Sequence, residues 1–131
     1  MSYTAKQLEA VLSGLEIPQS YTWTNSRGVE VVESFTFDGW NGIQEYFEMD
    51  ESRHVLLDGI GVLTVVSIDE ADAGDGQDTD MIFRVTDSDG NDRLFQKVGY
   101  YSSYGGFEWD GRFFEVEPYE ETVTRYRKVN A

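Results

Sequence analysis

The stretch MIFRVTDSDGNDRLFQKVGYY, residues 81–101, predicts a β-hairpin around which other strands can be placed. Met81, Phe83 and Val85 recur at every second position, which is the period of a strand with one buried face. Asp89-Gly90 supplies the tip, because this dipeptide favours the backbone of tight hairpin turns. RLFQKVGYY then returns antiparallel, so the sequence predicts an antiparallel sheet built on this hairpin.

Strand patterns continue on both sides of this hairpin. YTWT and VEVVESFTF flank NSRG, which predicts a hairpin connection, and VLLDGIGVLTVVSI holds two apolar runs about the turn dipeptide Asp58-Gly59. FDGWNG predicts a turn and IQEYFEM a strand, with a short helix over 41–48 as the alternative. EADAGDGQDTD predicts a long exposed loop, and the stretch FEWDGRFFEVEPYEETVTRYRKV predicts an Asp-Gly turn and then a strand, with an edge or bend at Pro118.

An amphipathic helix is predicted in TAKQLEAVLSGLEIP. Thr4 and Gln7 fit a capping box, and Gly14 and Pro18 mark the helix end. The apolar residues on one helical face are Ala5, Leu8, Val11, Leu12 and Leu15. One helix followed by about seven short strands predicts an α+β fold, in which an N-terminal helix packs on a strongly curved antiparallel sheet or small barrel. With no linker in the sequence, residues 1–131 are predicted to form a single domain.

The composition excludes several kinds of chemistry. The chain has no cysteine, which rules out disulfides, thiolate catalysis and cysteine zinc sites, and its one histidine, His54, cannot form a multi-histidine metal site. We therefore expect neither a metal nor a cofactor. The sequence shows no basic and apolar leader and no apolar run near 18 residues, so we expect a cytoplasmic protein with no membrane partner.

Charge is the strongest compositional signal. The net charge is −15, from 25 acidic and 10 basic residues. Direct binding to nucleic acid or to an anionic membrane is disfavoured, because both carry the same sign. Such a surface suits a basic partner, a cation or a very salty cytoplasm, and the last case would make the charge an adaptation to salt.

The charge is unevenly distributed along the chain. Residues 69–92 hold nine acids and one base, Arg84, and residues 108–121 hold six acids and one base, Arg112. The sign reverses at Arg125, Arg127 and Lys128. These bases either offset acids nearby in the fold or lie on a solvated strand.

No motif for catalysis or metal binding meets its template. Asp87, Asp89, Asn91 and Asp92 resemble the start of a calcium loop, but the sixth and twelfth positions lack the required glycine and glutamate. This stretch is therefore predicted to be a turn. Glycine-rich stretches lack the lysine of a phosphate-binding loop. Paired carboxylates leave a carbohydrate-active enzyme as one alternative, which requires a cleft between two acids.

Residues 100–109, YYSSYGGFEW, combine aromatic anchors with small adaptable residues, a composition typical of binding loops. Phe107 and Trp109 are expected to face the core, while some of Tyr100, Tyr101 and Tyr104 stay accessible. Acidic side chains on a rigid scaffold can imitate the phosphates of a duplex, so the protein is a candidate DNA mimic. The candidate partner-binding residues are Asp72, Asp75, Asp78, Asp80, Tyr101, Tyr104 and Trp109.

The pattern RLFQKVGYYSSYGGFEWDGRFFEVEP resembles small accessory proteins of tailed bacteriophages, especially phages of GC-rich actinobacteria. The likeness extends over residues 80–128. The resemblance carries no catalytic residues, and it implies a protein that binds host machinery or serves in the phage particle.

Taken together, these patterns predict a non-enzymatic acidic binding protein of the host-cell cytoplasm. It would occupy a basic surface of a host protein, with a nucleic-acid-binding or defence protein as the first target class. The alternative is a structural or assembly component of the phage particle, which should self-associate without a host factor. A small carbohydrate-active enzyme is the third hypothesis.

Overall fold

The computed structural model describes residues 2–69, 77–102 and 104–129, which form two helices and eight strands. The helices are α1 (Ala5–Ser13) and α2 (Gly39–Met49). The strands are β1 (Glu16–Thr24), β2 (Glu30–Asp38), β3 (Val55–Leu57), β4 (Gly61–Asp69), β5 (Gln77–Thr86), β6 (Asp92–Ser102), β7 (Gly106–Glu108) and β8 (Phe113–Val116). The α+β class with an N-terminal helix is confirmed.

The larger sheet is antiparallel and has six strands in the order β3–β4–β5–β6–β7, with β8 also paired to β6. Its centre is the predicted hairpin, in which β5 and β6 pair so that Phe83 lies opposite Phe95. A register shift between Val65 and Ser67 interrupts β4, and such a bulge increases local twist. The sheet curves strongly into a half-barrel, which confirms the curved-sheet prediction.

The core lies between one face of this sheet and the two helices. Met81, Phe83 and Val85 are all buried, as their alternation predicts. Lys97 is also on this face, because it is the register partner of Met81. Its ammonium group donates to the carbonyl of Gly111 at 2.7 Å, so the buried cation is hydrogen-bonded.

The capping box of α1 is confirmed. The amide of Gln7 donates to Thr4 Oγ1 at 3.1 Å, and the amide of Thr4 donates to Gln7 Oε1 at 2.8 Å. The helix stops at Gly14, the earlier of the two predicted ends. Residues 16–18, the last three of the stretch predicted to be helical, belong instead to β1.

The prediction of a turn at FDGWNG followed by a strand is wrong, and the helical alternative is correct. Trp40, Ile43 and Phe47 recur at helical spacing, and Ile43 and Phe47 are buried. A strand would have placed Glu45 on the same side as Ile43 and Phe47. Gly42 permits the close packing, because a side chain there would overlap the backbone of Phe37.

Strands β1 and β2 form a separate two-stranded antiparallel sheet, which we call the arm. Ile17 and Phe37 lie opposite each other at its base and are buried. The Phe37 ring packs edge-on against Tyr46 of α2, with 5.8 Å between ring centroids. From Ser20 to Thr24 on β1 and from Val32 to Thr36 on β2, every residue is exposed. The arm is therefore attached at its base and surrounded by solvent beyond it.

Candidate protein-binding surface

The predicted acidic residues fall into two groups. Asp72 and Asp75 lie outside the described residues. Asp78 and Asp80 lie in β5, alternating with the buried residues Thr79 and Met81, so both are on the face of the sheet away from the core.

The sheet register places Asp78 in a row with an aromatic and a second acid. Asp78 lies opposite Tyr100 of β6, and Tyr100 lies opposite Glu108 of β7. Asp80, two residues further along β5, accepts a hydrogen bond from Gln96 Nε2 at 2.6 Å. This end of the sheet thus combines carboxylates with a half-exposed tyrosine.

The three aromatic candidates have three different environments. Tyr104 is 98% exposed in the turn between β6 and β7. Tyr101 is partly buried, with its ring centroid 4.8 Å from that of Phe107. Trp109 is only 7% exposed, and its indole N–H donates to Gln44 Oε1 at 2.8 Å. Its expected inward orientation is confirmed, and the buried indole leaves little surface for the partner contact that the sequence analysis assigned to it.

A second aromatic surface, which the sequence reasoning missed, lies on one face of the arm. Tyr21, Trp23 and Phe35 are between 41% and 49% exposed. Tyr21 and Trp23 are two residues apart, and Phe35 lies on the same face because its partner is Gln19, two residues before Tyr21. We call Tyr21, Trp23, Phe35 and Glu33 the aromatic face. The sequence signal for this surface was the alternation of aromatic residues in YTWT and FTF. In a sheet of only two strands, such residues have no second layer to cover them.

A carboxylate is held among these rings. Tyr21 donates its hydroxyl to Glu33 Oε2 at 2.6 Å, and Trp23 donates its indole N–H to Glu33 Oε1 at 3.2 Å. Because the Tyr21 hydroxyl is bonded to this carboxylate, the pKa of Tyr21 lies above its ordinary value. A carboxylate beside electron-rich rings suits a guanidinium or ammonium group, which gains both charge pairing and a cation–π contact.

Aromatic contacts connect this face to the core. The Tyr21 and Phe35 ring centroids are 6.1 Å apart, and those of Phe35 and Phe37 are 5.1 Å apart. Phe37 in turn contacts Tyr46 of α2, and the ring centroids of Tyr46 and Phe47 are 5.3 Å apart. The base of the aromatic face is therefore fixed by packing, which lowers the entropy cost of ordering it on a partner.

A hollow of about 660 Å³ lies elsewhere, between the turn after β3 and the turn after β5. Asp58 and Asp87 line it. Asp87 Oδ1 accepts from the amides of Asp89 and Asn91, each at 2.9 Å, and these bonds hold the pKa of Asp87 below its usual value. The prediction of a turn here agrees with this geometry. No cluster of three metal-ligating side chains occurs in the part of the chain that the structure describes.

Comparison with known proteins adds no relative. No protein-family model, curated protein or solved structure matches the chain. Neither helix in the described residues has the length and apolar character that a membrane crossing needs.

Proposed function

We propose that this protein acts by binding, and that it occupies a basic surface of a partner protein through the aromatic face of the arm. The observation that carries the proposal is the Glu33 carboxylate hydrogen-bonded between Tyr21 and Trp23 on an exposed strand pair. Trp, Tyr and Arg dominate the energetics of protein interfaces, so this face suits an arginine-bearing or lysine-bearing partner.

The net charge of −15 supports the same class of partner. Long-range attraction would speed the encounter with a basic surface and would weaken as salt is added. The resemblance to phage accessory proteins makes a nucleic-acid-binding or defence protein of a bacterial host the first target class to examine. A phage protein acting in this way would work in the host cytoplasm, as an inhibitor that replaces DNA on its target.

The test is affinity capture from a bacterial lysate with immobilised wild-type protein and two variants. The double variant Trp23→Ala/Phe35→Ala removes the aromatic face, and Val32→Ala is the matched control. Val32 is 66% exposed on the opposite face of the same arm, because it pairs with Thr22.

The wild type and V32A should retain the same basic protein at low salt and release it at about 0.5 M salt, where screening shortens the reach of surface charge to a few ångströms. The double variant should retain much less. Equal capture by all three proteins, or capture that salt does not affect, would contradict the proposal.

The acidic candidates Asp72, Asp75, Asp78 and Asp80 belong to the electrostatic part of the proposal. Changing all four to Asn should weaken binding of the captured protein and flatten its salt dependence. An unchanged affinity and salt slope would remove these residues from the interface while leaving the aromatic face in place.

A further inference from the structure

The two strands of the arm have open outer edges within the described residues. The amide of Asn25 donates to the carbonyl of Val29 at 3.0 Å, and bonded and non-bonded pairs alternate along an antiparallel ladder. The even-numbered residues of both strands therefore direct their amides and carbonyls outward. Pro18 agrees with this phase, since a proline in a sheet lies where its missing N–H faces an edge.

The two edges differ in their capacity to accept another strand. On β1, Pro18 removes one outward donor, and proline is a common means of blocking strand addition. On β2, the outward residues are Glu30, Val32, Ser34, Thr36 and Asp38, and none of them is a proline. An isolated two-stranded hairpin is only marginally stable in water, so a third strand on β2 would stabilise the arm.

The chain also contains a strand-like segment without a partner. Residues 122–129, TVTRYRKV, consist of four β-branched residues, one tyrosine and three bases, and β-branched and aromatic residues are typical of strands. The structure places them in no helix or strand, and all eight are exposed. We call this stretch the basic segment.

Charge complements this edge. The basic segment has three bases, Arg125, Arg127 and Lys128, and no acid, whereas β2 has three acids, Glu30, Glu33 and Asp38, and no base. The nine residues of β2 and the eight of the basic segment also match in length. Opposite charges on neighbouring strands stabilise pairing.

We propose that the basic segment of one copy adds as a strand to the outer edge of β2 in a second copy. Within one described chain both the edge and the segment remain unpaired, and exchange between copies satisfies both. The exchange also offsets part of the repulsion between two bodies that each carry −15. This use of the β2 main chain is separable from the proposed function, because strand addition needs the outward N–H and C=O groups of β2, whereas the proposed function needs the rings of Tyr21, Trp23 and Phe35.

The test measures the mass of the full chain in solution by light scattering over a concentration series. Ser20 and Ser34 are the matched positions, since they lie directly opposite each other and each directs its amide to a different edge. Ser34→Pro should weaken self-association at least tenfold, whereas Ser20→Pro should leave it unchanged. Thr124→Pro, which removes a donor from the basic segment, should act like S34P.

A second pair of measurements guards against misfolding of the proline variants. Arg125→Glu/Arg127→Glu changes only exposed side chains and should weaken association while the circular dichroism spectrum stays unchanged. Amide hydrogen exchange at Val32 and Ser34 should slow as the wild-type concentration rises.

A wild type that stays monomeric, equal effects of S20P and S34P, or association that survives both T124P and the charge reversal would overturn the inference. The W23A/F35A variant should still associate, so failure here is distinguishable from failure of the proposed function.

Discussion

At the scale of single residues, the buried hydrogen bond between Trp109, which directly follows β7, and Gln44 joins this part of the chain to α2. Trp109→Phe removes the donor and leaves Gln44 Oε1 without it in a site that is largely closed to water. We expect this change to cost about 2–4 kcal/mol of unfolding free energy, from the unpaired acceptor and the lost ring volume. Urea denaturation measures it.

Tyr104→Ala is the control in the same stretch, because its side chain is almost fully exposed and should change stability by less than about 0.5 kcal/mol. If W109F proved as stable as Y104A, Trp109 would not be a core residue, and its role in partner binding would have to be reconsidered.

A second residue-scale prediction concerns the ion pair of Arg93 and Glu115. Arg93 Nε and Nη2 each donate to a Glu115 oxygen at 2.9 Å, and these bonds lower the pKa of Glu115. A lowered pKa stabilises the fold above the unfolded carboxyl's pKa, about 4.3, and this contribution disappears as the pH falls through the folded value. Because both side chains are partly exposed, Glu115→Gln should cost no more than about 1 kcal/mol at pH 7.

Thermal unfolding from pH 7 down to pH 3 measures this difference. Glu120→Gln, at an exposed position, controls for the loss of one negative charge. A gap between E115Q and wild type that persisted at the lowest pH would show that the pair contributes through something other than the Glu115 carboxylate.

At the scale of elements, the arm offers a matched pair of positions on one strand. Phe37 is buried at the base, and Phe35, two residues earlier on the same face, is half-exposed. Phe37→Ala should cost about 3–5 kcal/mol, whereas Phe35→Ala should cost about 1 kcal/mol, because only the first opens a cavity. Chemical denaturation distinguishes them, and equal costs would mean that the outer half of the arm is packed against something.

The same comparison separates stability from binding. F35A should reduce capture of the basic partner although the domain remains folded, because Phe35 lies on the aromatic face. A variant that lost both the fold and the partner would make Phe35 a core residue and would leave Tyr21, Trp23 and Glu33 as the site.

At the scale of the whole molecule, self-repulsion should set the salt dependence of stability. A chain of −15 gains stability when its charges are screened, so the melting temperature should rise by several degrees between low salt and about 0.5 M NaCl. The variant with Asn at positions 72, 75, 78 and 80 should show a smaller rise. If the melting temperature were insensitive to salt in both proteins, the acids would have to be neutralised within the fold.

The sequence by itself determined the local features of this protein. The capping box of α1, the hairpin of β5 and β6, and the inward side of Met81, Phe83 and Val85 all depend on neighbours a few residues apart, and all are confirmed. The large negative charge is likewise a property of composition alone.

Tertiary structure decided which residues are accessible and which are covered. The sequence predicts that Trp109 faces inward, but only the tertiary structure places Gln44 of α2 against its indole. The same kind of alternation in YTWT does not show that Tyr21 remains half-exposed. The helix at Gly39–Met49 depends on burying Ile43 and Phe47 against distant strands, and Lys97 faces inward because the sheet register places it there. Burial depends on contacts between residues far apart in the chain, and local periodicity carries no information about which element lies opposite.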